Sequence, residues 1–272
     1  TVHRINEHPN KQKDLSMLQI VTIPARQDNY IWLLKKGLHA VVVDPGHADP
    51  VLERLNSLGL TLDAILLTHH HHDHIDGVPE LLAHYPDAIC YGPAVEHPLL
   101  PTQQPLHNGQ RIVLDTLEIS LEIMALPGHT REHIAYYGHD ALFCGDVLFA
   151  GGCGRLLDGT PEQMYDSLQR IKQLPPETRI YAAHEYTQSN LAFCQRVEPD
   201  NAALMDRIQS VSKLRRQGLP TLPSNLATEL ATNVFLRTQM TGIRHWAEQN
   251  AYCECKNEIH VFAILREKKN NL

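Results

Sequence analysis

Short alternating runs of hydrophobic and polar residues dominate the first two thirds of the chain and predict a sheet-rich region. Runs typical of β-strands occupy residues 18–23, 30–34, 40–43, 64–67, 112–114, 117–124, 134–137, 141–144 and 180–183. Helical spacing of hydrophobic residues appears between these strands at residues 49–58 and 78–84. A further helix should begin after Thr160, because T-P-E-Q combines an N-cap, an early proline and a capping glutamine. Strands that alternate with helices favour the α/β class.

The pattern changes near Thr187, where the strand-like runs stop. Residues 188–197, 201–217 and 259–268 all show helical spacing, with no strand-like run between them. We therefore predict three parts: a polar N-terminal extension at residues 1–16, an α/β domain at 17–187 and an all-helical domain at 188–272.

The bulk composition is that of an ordinary globular protein, with 43% hydrophobic and 20% charged residues. A formal net charge of -7 argues against a broad nucleic-acid-binding surface, which needs a basic excess. No apolar run reaches the length of a membrane span, and residues 1–16 lack the hydrophobic core of a signal peptide. The six cysteines fit no disulfide framework, so we expect reduced thiols in a cytoplasmic protein.

A histidine-rich loop is the strongest chemical signal in the chain. Five of the 18 histidines lie within T-H-H-H-H-D-H at residues 68–74, directly after a strand-like run and before a helical one. Alternate residues of an extended segment point to opposite sides, so His69 and His71 share one side. The turn into the helix redirects Asp73 and His74 together. This loop therefore starts two adjacent metal sites, and both need further ligands from elsewhere.

Three further residues are candidates for the missing ligands, because each follows the end of a predicted strand. They are His129 in P-G-H-T, Asp146 in C-G-D and His184 in A-H-E-Y. A parallel or mixed sheet gathers such positions on one rim. His70 and His72 point away from the first pair and are predicted not to be ligands. A set of imidazoles and carboxylates without cysteine suits zinc, iron or manganese, and disfavours a closed structural zinc site.

Four of these motifs together resemble the metallo-β-lactamase superfamily: T-H-x-H-x-D-H at 68–74, P-G-H-T at 127–130, C-G-D at 144–146 and H-E-Y-T at 184–187. Three more are similar to the glyoxalase II (hydroxyacylglutathione hydrolase) family: F-A-G-G-C-G-R at 149–155, N-V-F-L-R at 233–237 and R-E-K-K at 266–269. The resemblance extends from about Leu18 to the C-terminus. It implies an αββα metallo-β-lactamase sandwich with a C-terminal helical domain, in which residues 17–187 bind metal and 188–272 bind substrate.

The resemblance also implies the distribution of ligands between two divalent metal ions. One ion takes His69, His71 and His129, the other takes Asp73, His74 and His184, and Asp146 bridges the two. Zinc is the leading expectation for both ions, with iron or manganese as alternatives. Asp73 has a second expected role, which is to orient the metal-bound hydroxide that attacks the substrate.

The implied reaction is hydrolysis of an S-2-hydroxyacylglutathione, such as S-D-lactoylglutathione, to glutathione and a 2-hydroxy acid. Arg155, Tyr186, Arg266 and Lys269 are the expected glutathione-binding residues. The spacing of Arg266 and Lys269 places both on one helix face, although a solvated basic helix end is the alternative interpretation. Leu157 stands where the family often has an aromatic residue, so any hydroxyl contact at that position is lost.

Two other functions remain open from the sequence. A glutathione persulfide dioxygenase would use one iron, but such relatives generally lack the long helical tail. A non-catalytic metal-binding module would have no use for seven ligands with open coordination. A zinc β-lactamase would be expected to have cysteine at the position of Asp146, and a nuclease would need a basic surface. We expect a monomeric enzyme without nucleic-acid or membrane partners.

Overall fold

The structure is a computed structural model that describes residues 17–95 and 101–271; the predicted extension at residues 1–16 lies outside the described residues. Its strands are β1 (Gln19–Ala25), β2 (Asn29–Lys36), β3 (His39–Val43), β4 (Thr61–Leu66), β5 (Ile89–Pro93), β6 (Gln104–Leu106), β7 (Arg111–Leu114), β8 (Ile119–Ala125), β9 (Ile134–Gly138), β10 (Ala141–Gly145), β11 (Leu148–Phe149), β12 (Gly152–Cys153), β13 (Arg179–Ala182) and β14 (Ser224–Asn225). Its α-helices are α1 (Asp49–Leu58), α2 (His72–Ile75), α3 (Val78–His84), α4 (Pro161–Ile171), α5 (Thr187–Val197), α6 (Ala202–Arg216), α7 (Leu226–Thr232), α8 (Thr241–Ala251) and α9 (Glu258–Asn270).

Two six-stranded sheets form the centre of the molecule. The first has the order β1-β2-β3-β4-β5-β6, with antiparallel pairs at the β1 edge and parallel pairs from β3 onwards. The second has the order β14-β13-β10-β9-β8-β7, and only its β10–β13 pair is parallel. The parallel pairs bring the carboxyl ends of β3 and β4 together in one sheet, and those of β10 and β13 in the other.

The period-2 alternation of the strands divides the buried residues into two layers. Leu34 and Val41 face the space between the sheets, where they join a core with residues of the second sheet. Leu33 and Val42, their immediate neighbours, point the other way and pack with Val51 of α1 and other residues of the outer helices. This arrangement gives the expected αββα sandwich.

The metal-site candidates follow the strand ends that the sequence predicts. The histidine-rich loop begins two residues after the end of β4, Asp146 directly follows β10, and His184 lies two residues after the end of β13. Several hydrogen bonds join the sheets at this rim; for example, Ile134 N–H donates to Thr68 O at 2.9 Å, and Tyr136 Oη donates to Leu67 O at 2.7 Å. The loops from both sheets therefore meet at one edge of the sandwich.

The C-terminal region is helical, but it contains more elements than the sequence predicts. Helices α7 and α8 were not predicted, because each is short and lacks a long periodic hydrophobic run. The two-residue strand β14 pairs antiparallel with β13, so this region contributes an edge to the second sheet. A strand of two residues leaves no alternating pattern in the sequence. None of the helices in the described parts of the chain combines the length and apolar character needed to cross a membrane.

The helix predicted to begin after Thr160 is present as α4. Thr160 Oγ1 accepts from Gln163 N–H at 3.3 Å, and Gln163 Oε1 accepts from Thr160 N–H at 3.0 Å. These reciprocal bonds form the capping box that the T-P-E-Q motif predicts.

Candidate metal centre

The first group of potential ligands combines the histidine-rich loop with the P-G-H-T turn. Nε2 of His69 lies 3.0 Å from Nδ1 of His71, and Nε2 of His129 also lies 3.0 Å from Nδ1 of His71. Three imidazole nitrogens therefore converge on one point, and all lie within 4.8 Å of one another. This geometry suits a three-histidine metal site with an open position.

The second group combines the end of the same loop with the H-E-Y-T segment. Oδ2 of Asp73 lies 3.6 Å from Nε2 of His74 and 3.3 Å from Nε2 of His184. These three atoms also lie within 4.8 Å of one another. The loop thus divides as the alternation argument predicts, with its first two ligand candidates in one group and its last two in the other.

Asp146 lies between the two groups. Its Oδ2 is 3.4 Å from Nε2 of His129, whereas its Oδ1 is 3.6 Å from Nε2 of His74 and 3.4 Å from Nε2 of His184. The side chain is therefore placed to give one oxygen to each group. A carboxylate shared in this way is typical of two-metal sites whose ions lie roughly 3.5–4 Å apart.

The arrangement of the donor atoms suits a bound cation better than it suits hydrogen bonds among the donor atoms themselves. Nε2 of His74 and Oδ1 of Asp146 are buried and have no hydrogen-bond partner in the structure. Buried polar atoms rarely stay without a partner unless an ion or water is bound there. The two groups of histidines and aspartates, joined by Asp146, together indicate a binuclear metal site.

His70 and His72 belong to neither group. The His72 side chain is 69% exposed, and its Nδ1 lies 2.9 Å from a carboxylate oxygen of Asp76. Asp76 also receives a 2.7 Å contact from Arg26, so it takes part in a surface cluster. That neither histidine is a ligand stays a prediction, which this arrangement supports.

Hydrogen bonds fix the remaining ring nitrogens of the histidines. Nδ1 of His129 donates to the backbone carbonyl of Arg155 at 2.8 Å, and Nδ1 of His184 donates to Oδ1 of Asp28 at 2.8 Å. Each bond places the proton on Nδ1 and leaves Nε2 free to bind a cation. The 2.8 Å distance indicates that Asp28 orients the His184 ring.

Asp44 contacts Thr68 and His74 on the buried side of the metal centre. It accepts from Thr68 N–H at 2.8 Å and Thr68 Oγ1 at 2.7 Å, and Oγ1 lies 3.0 Å from Nδ1 of His69. Its Oδ2 also lies 3.1 Å from Nδ1 of His74. Asp44 adopts a left-handed φ of 51°, a conformation that costs a non-glycine residue energy. The residue therefore serves the turn and orients ligand candidates from both groups.

Asn29 and His133 contact the ligand candidates, although the sequence analysis assigned neither residue a role. The Asn29 amide donates to Oδ2 of Asp73 at 3.0 Å, the same oxygen that faces His74 and His184. His133 is fully buried, stacks on His69 and accepts from Asp146 N–H at 3.1 Å. Their position beside known motifs, D-N-Y and P-G-H-T, was the only signal available in the sequence.

The two groups differ in their electrostatics. Burial lowers the pKa of His69 well below its usual value and, with the charge of His129, lowers the pKa of His71 to about 4. Burial also lowers the pKa of His74 and His184, but nearby carboxylates, Asp146 above all, outweigh it and raise these values to about 10 and about 12. The same carboxylates that favour protonated imidazoles here would also attract a cation, so protons and metal ions compete for this group.

A cleft of about 720 Å³ opens from the metal centre towards the helical region. All four predicted glutathione-binding residues line it: Arg155, Tyr186, Arg266 and Lys269. Arg196 lines the same cleft and was missed, because a single arginine near a helix end carries no sequence signal. The cleft also contains His129 and Asp146, so a ligand bound there reaches the metal centre.

The cationic residues of the cleft are not equivalent. Arg266 is only 5% exposed, and its Nη1 donates to the carbonyl of Cys153 at 2.6 Å, so a solvated helix end is the wrong interpretation for this residue. Lys269 donates to Ser189 O at 3.1 Å, and its pKa is lowered by burial and by the charges of Arg266 and Arg155. Within the described residues, Arg155 and Lys269 form no ion pair with a carboxylate.

Aromatic packing connects the cleft with the second ligand group. The Tyr186 ring stacks on His184 with centroids 4.8 Å apart, and it meets Phe149 edge-on at 5.2 Å. Leu157, where an aromatic residue was the family expectation, is 61% exposed and lines the cleft beside His129.

Comparison with known proteins agrees with this architecture. Residues 26–184 match the model of the metallo-beta-lactamase superfamily, and residues 185–272 match the model of the hydroxyacylglutathione hydrolase C-terminus. A hydroxyacylglutathione hydrolase from Tolumonas auensis is 55% identical over 256 residues, which cover 94% of this chain and 100% of that protein. The chain belongs to the hydroxyacylglutathione hydrolase family.

Two solved structures with lower sequence identity to this chain have the same fold. The BLEG-1 B3 metallo-beta-lactamase matches with a TM-score of 0.60 and 23% identity, over 80% of this chain and 99% of that one. TTHA1623, solved in a di-iron-bound form, matches with a TM-score of 0.51 and 31% identity, over 61% of this chain and 91% of that one. The αββα prediction is therefore confirmed.

Proposed function

We propose that this member of the hydroxyacylglutathione hydrolase family hydrolyses S-2-hydroxyacylglutathione thioesters, such as S-D-lactoylglutathione, to glutathione and a 2-hydroxy acid. One observation carries the proposal for this chain. Two ligand groups that share Asp146 open directly on a cleft whose unpaired cations, Arg155 and Lys269, suit the carboxylates of glutathione.

The seven clustered side chains would hold two divalent ions: His69, His71 and His129 on one side, Asp73, His74 and His184 on the other, and Asp146 between them. Zinc is the proposed metal, since imidazole and carboxylate donors suit it; iron and manganese accept the same donors. When bound, the ions supply Lewis acidity and water that is activated near neutral pH. The di-iron form of TTHA1623 supports iron as the main alternative.

The chain's own residues position the reactants. Asn29 fixes Oδ2 of Asp73, so this carboxylate can orient the attacking water towards the thioester carbonyl. Tyr186, held between His184 and Phe149, offers its hydroxyl to the glutathionyl part at the cleft wall. A thiolate leaves easily, so a strong general acid is less necessary than in amide hydrolysis.

A mono-iron glutathione persulfide dioxygenase remains the second candidate, because it would bind the same glutathionyl group. The complete second ligand group and the long helical region both favour the hydrolase. A non-catalytic metal-binding role would leave the cation-lined cleft without a function.

The deciding experiment assays S-D-lactoylglutathione hydrolysis and measures metal content on the same sample. We expect thioester cleavage by protein that carries two ions per chain. Absence of turnover in a fully metallated sample would contradict the proposal, and oxygen consumption with glutathione persulfide would favour the dioxygenase instead.

Three broader features are part of the same proposal. A metal-binding domain at residues 17–187 and a substrate-binding helical domain at 188–272 share the cleft. All six cysteines are free thiols, which suits a cytoplasmic protein. We also propose that the protein is a monomer, which light scattering on the purified chain would test.

A further inference from the structure

The hairpin formed by β11 and β12 receives several hydrogen bonds from side chains of the helical region. The Ala150 carbonyl accepts from Nδ2 of Asn190 at 3.1 Å, and the Gly151 carbonyl accepts from Sγ of Cys194 at 3.1 Å. The Cys153 carbonyl accepts from Arg266, as described above. A glycine-rich turn has little conformational preference of its own, so these contacts set its position.

These side chains form a clamp on the hairpin together with Glu229 and Asn233. Glu229 is a fully buried member of this clamp. Its side chain is 0% exposed, and its Oε2 accepts from Gly151 N–H at 2.8 Å. Its Oε1 accepts from Arg207 and from Ser224. Four donors including Asn233 surround one carboxylate, and Arg207 balances its charge, so burial of this ion is compensated.

Asn233 completes the clamp from the next turn of the chain. Its Nδ2 lies within hydrogen-bond distance of the Gly152 carbonyl at 3.0 Å, the Phe149 carbonyl at 3.3 Å and Oε2 of Glu229 at 3.2 Å. Its Oδ1 accepts from Phe235 N–H at 3.1 Å and caps the following turn. The donor side of the amide therefore holds the hairpin, while the acceptor side serves its own helix.

The hairpin leads directly into the metal centre. Gly154 N–H donates to the Val147 carbonyl at 3.1 Å, and a side chain on Gly154 would collide with the Asp146 carbonyl, 1.9 Å from the position of its Cβ. The next residue, Arg155, gives its carbonyl to Nδ1 of His129 and its side chain to the cleft. One short segment thus joins the clamp to a ligand candidate and to a substrate contact.

We propose that Glu229 and Asn233 are positioning residues for the active site. By fixing the hairpin at residues 149–153, they hold the Arg155 carbonyl that orients the His129 ring and the Arg155 side chain that meets the substrate. The contribution to substrate binding rests on the proposed thioester activity, whereas the contribution to the hairpin and to metal binding does not.

Asn233→Asp tests the donor side of the amide alone. Aspartate keeps an oxygen that can accept from Phe235 N–H, but it replaces the donor with an acceptor that faces two carbonyls and Glu229. We expect hydrogen exchange at the Gly151 and Gly154 amides to accelerate, and one of two zinc ions to bind about 10-fold more weakly, a usual effect of losing an outer partner. In zinc-saturated buffer, KM for S-D-lactoylglutathione should rise roughly 5-fold with kcat nearly unchanged, the signature of lost ground-state binding.

Glu198→Gln is the matched control. Glu198 forms a two-point ion pair with Arg237 at 2.9 Å and 2.9 Å in the same helical region, without a contact to the hairpin. Both variants should lower Tm, but only Asn233→Asp should change amide exchange in the hairpin, zinc affinity and KM. A purely structural role would change Tm alone.

Asn233→Ala, which introduces no charge beside Glu229, replaces the aspartate variant if that protein does not fold. A folded variant at position 233 with wild-type exchange and zinc affinity would overturn the proposal, as would equal shifts in Glu198→Gln. If the wild-type protein hydrolyses no thioester, the proposed function fails. Hydrogen exchange and zinc affinity still test whether Asn233 positions the hairpin, so the two failures can be told apart.

Discussion

The metal centre and the adjoining cleft lie side by side but are built in opposite ways. Five of the seven ligand candidates in the metal centre are buried, and hydrogen bonds orient several of them, as Asp28 orients His184 and Arg155 O orients His129. The cleft combines exposed side chains such as Leu157 with two cations, Arg155 and Lys269, that form no ion pair with a carboxylate of the described residues. From this difference we expect the metal centre to determine the chemistry and the cleft to determine affinity and selectivity.

That difference predicts separate kinetic consequences. Changes in the metal centre should reduce metal binding and kcat, because reacting groups lose their positions. Changes in the cleft should act mainly on KM, because they remove contacts made equally in the ground state and the transition state. The following four substitutions test this division.

Asp146→Ala should have the largest effect. It removes the carboxylate shared by both ligand groups, so metal content should fall from two ions to one or fewer. We expect kcat/KM to fall more than about 100-fold, since losing even an outer partner of a metal site costs 10–100-fold. Elemental analysis and kinetics on one sample measure both effects, with the exposed Asp87→Ala as control; two retained ions and near-normal kcat would show that Asp146 is not a bridge.

Asp28→Ala should have the next largest effect, because Nδ1 of His184 loses its acceptor at 2.8 Å. We expect zinc affinity to fall about 10–100-fold, with activity recovering when zinc is raised. Asp49→Ala is the matched control, since Asp49 forms an ion pair with the exposed His47 at 3.4 Å and belongs to neither ligand group. Equal zinc affinity in both variants would argue that Asp28 is a turn residue only.

Lys269→Ala should raise KM for S-D-lactoylglutathione about 10-fold and leave kcat nearly unchanged, as expected for loss of one charge-assisted contact. Lys268→Ala removes a neighbouring charge of the same helix that does not line the cleft. Steady-state kinetics on the pair separate a local contact from a general charge effect. Identical KM values in the two variants would assign Lys269 to the surface.

Leu157→Tyr should have the smallest effect and the opposite sign. A tyrosine at this position restores the hydroxyl that the family often provides, so KM should fall roughly 2–5-fold, in line with one neutral hydrogen bond. Leu157→Phe controls for the added ring. If both variants give the wild-type KM, the substrate does not reach residue 157.

The sequence predicted which residues come together at this rim, because rare residue types stand just after strand ends. His69 and His184 are far apart in the chain, yet β4 and β13 end at the same rim. The clamp at Glu229 and Asn233 could not be predicted. Its contacts span about 80 residues and use common residue types, so neither spacing nor composition marks them. The short strand β14 left no pattern for the same reason.

The position of Arg266 shows what a sequence motif can predict and what it cannot. Its place in R-E-K-K correctly directed attention to the cleft, but the motif says nothing about the bond to the Cys153 carbonyl. Only the fold shows that this arginine also supports the hairpin. A double substitution of Arg266 and Lys269 would therefore combine a structural loss with a binding loss, and Lys269 alone is the cleaner test.

The most direct measurement removes all metal with a chelator and then titrates zinc into the protein. Bound zinc and hydrolysis of S-D-lactoylglutathione are followed on the same samples. We expect turnover to be absent in the metal-free protein and to reach its maximum at two ions per chain. Full activity at one ion per chain, or no activity at two, would contradict a binuclear thioester hydrolase.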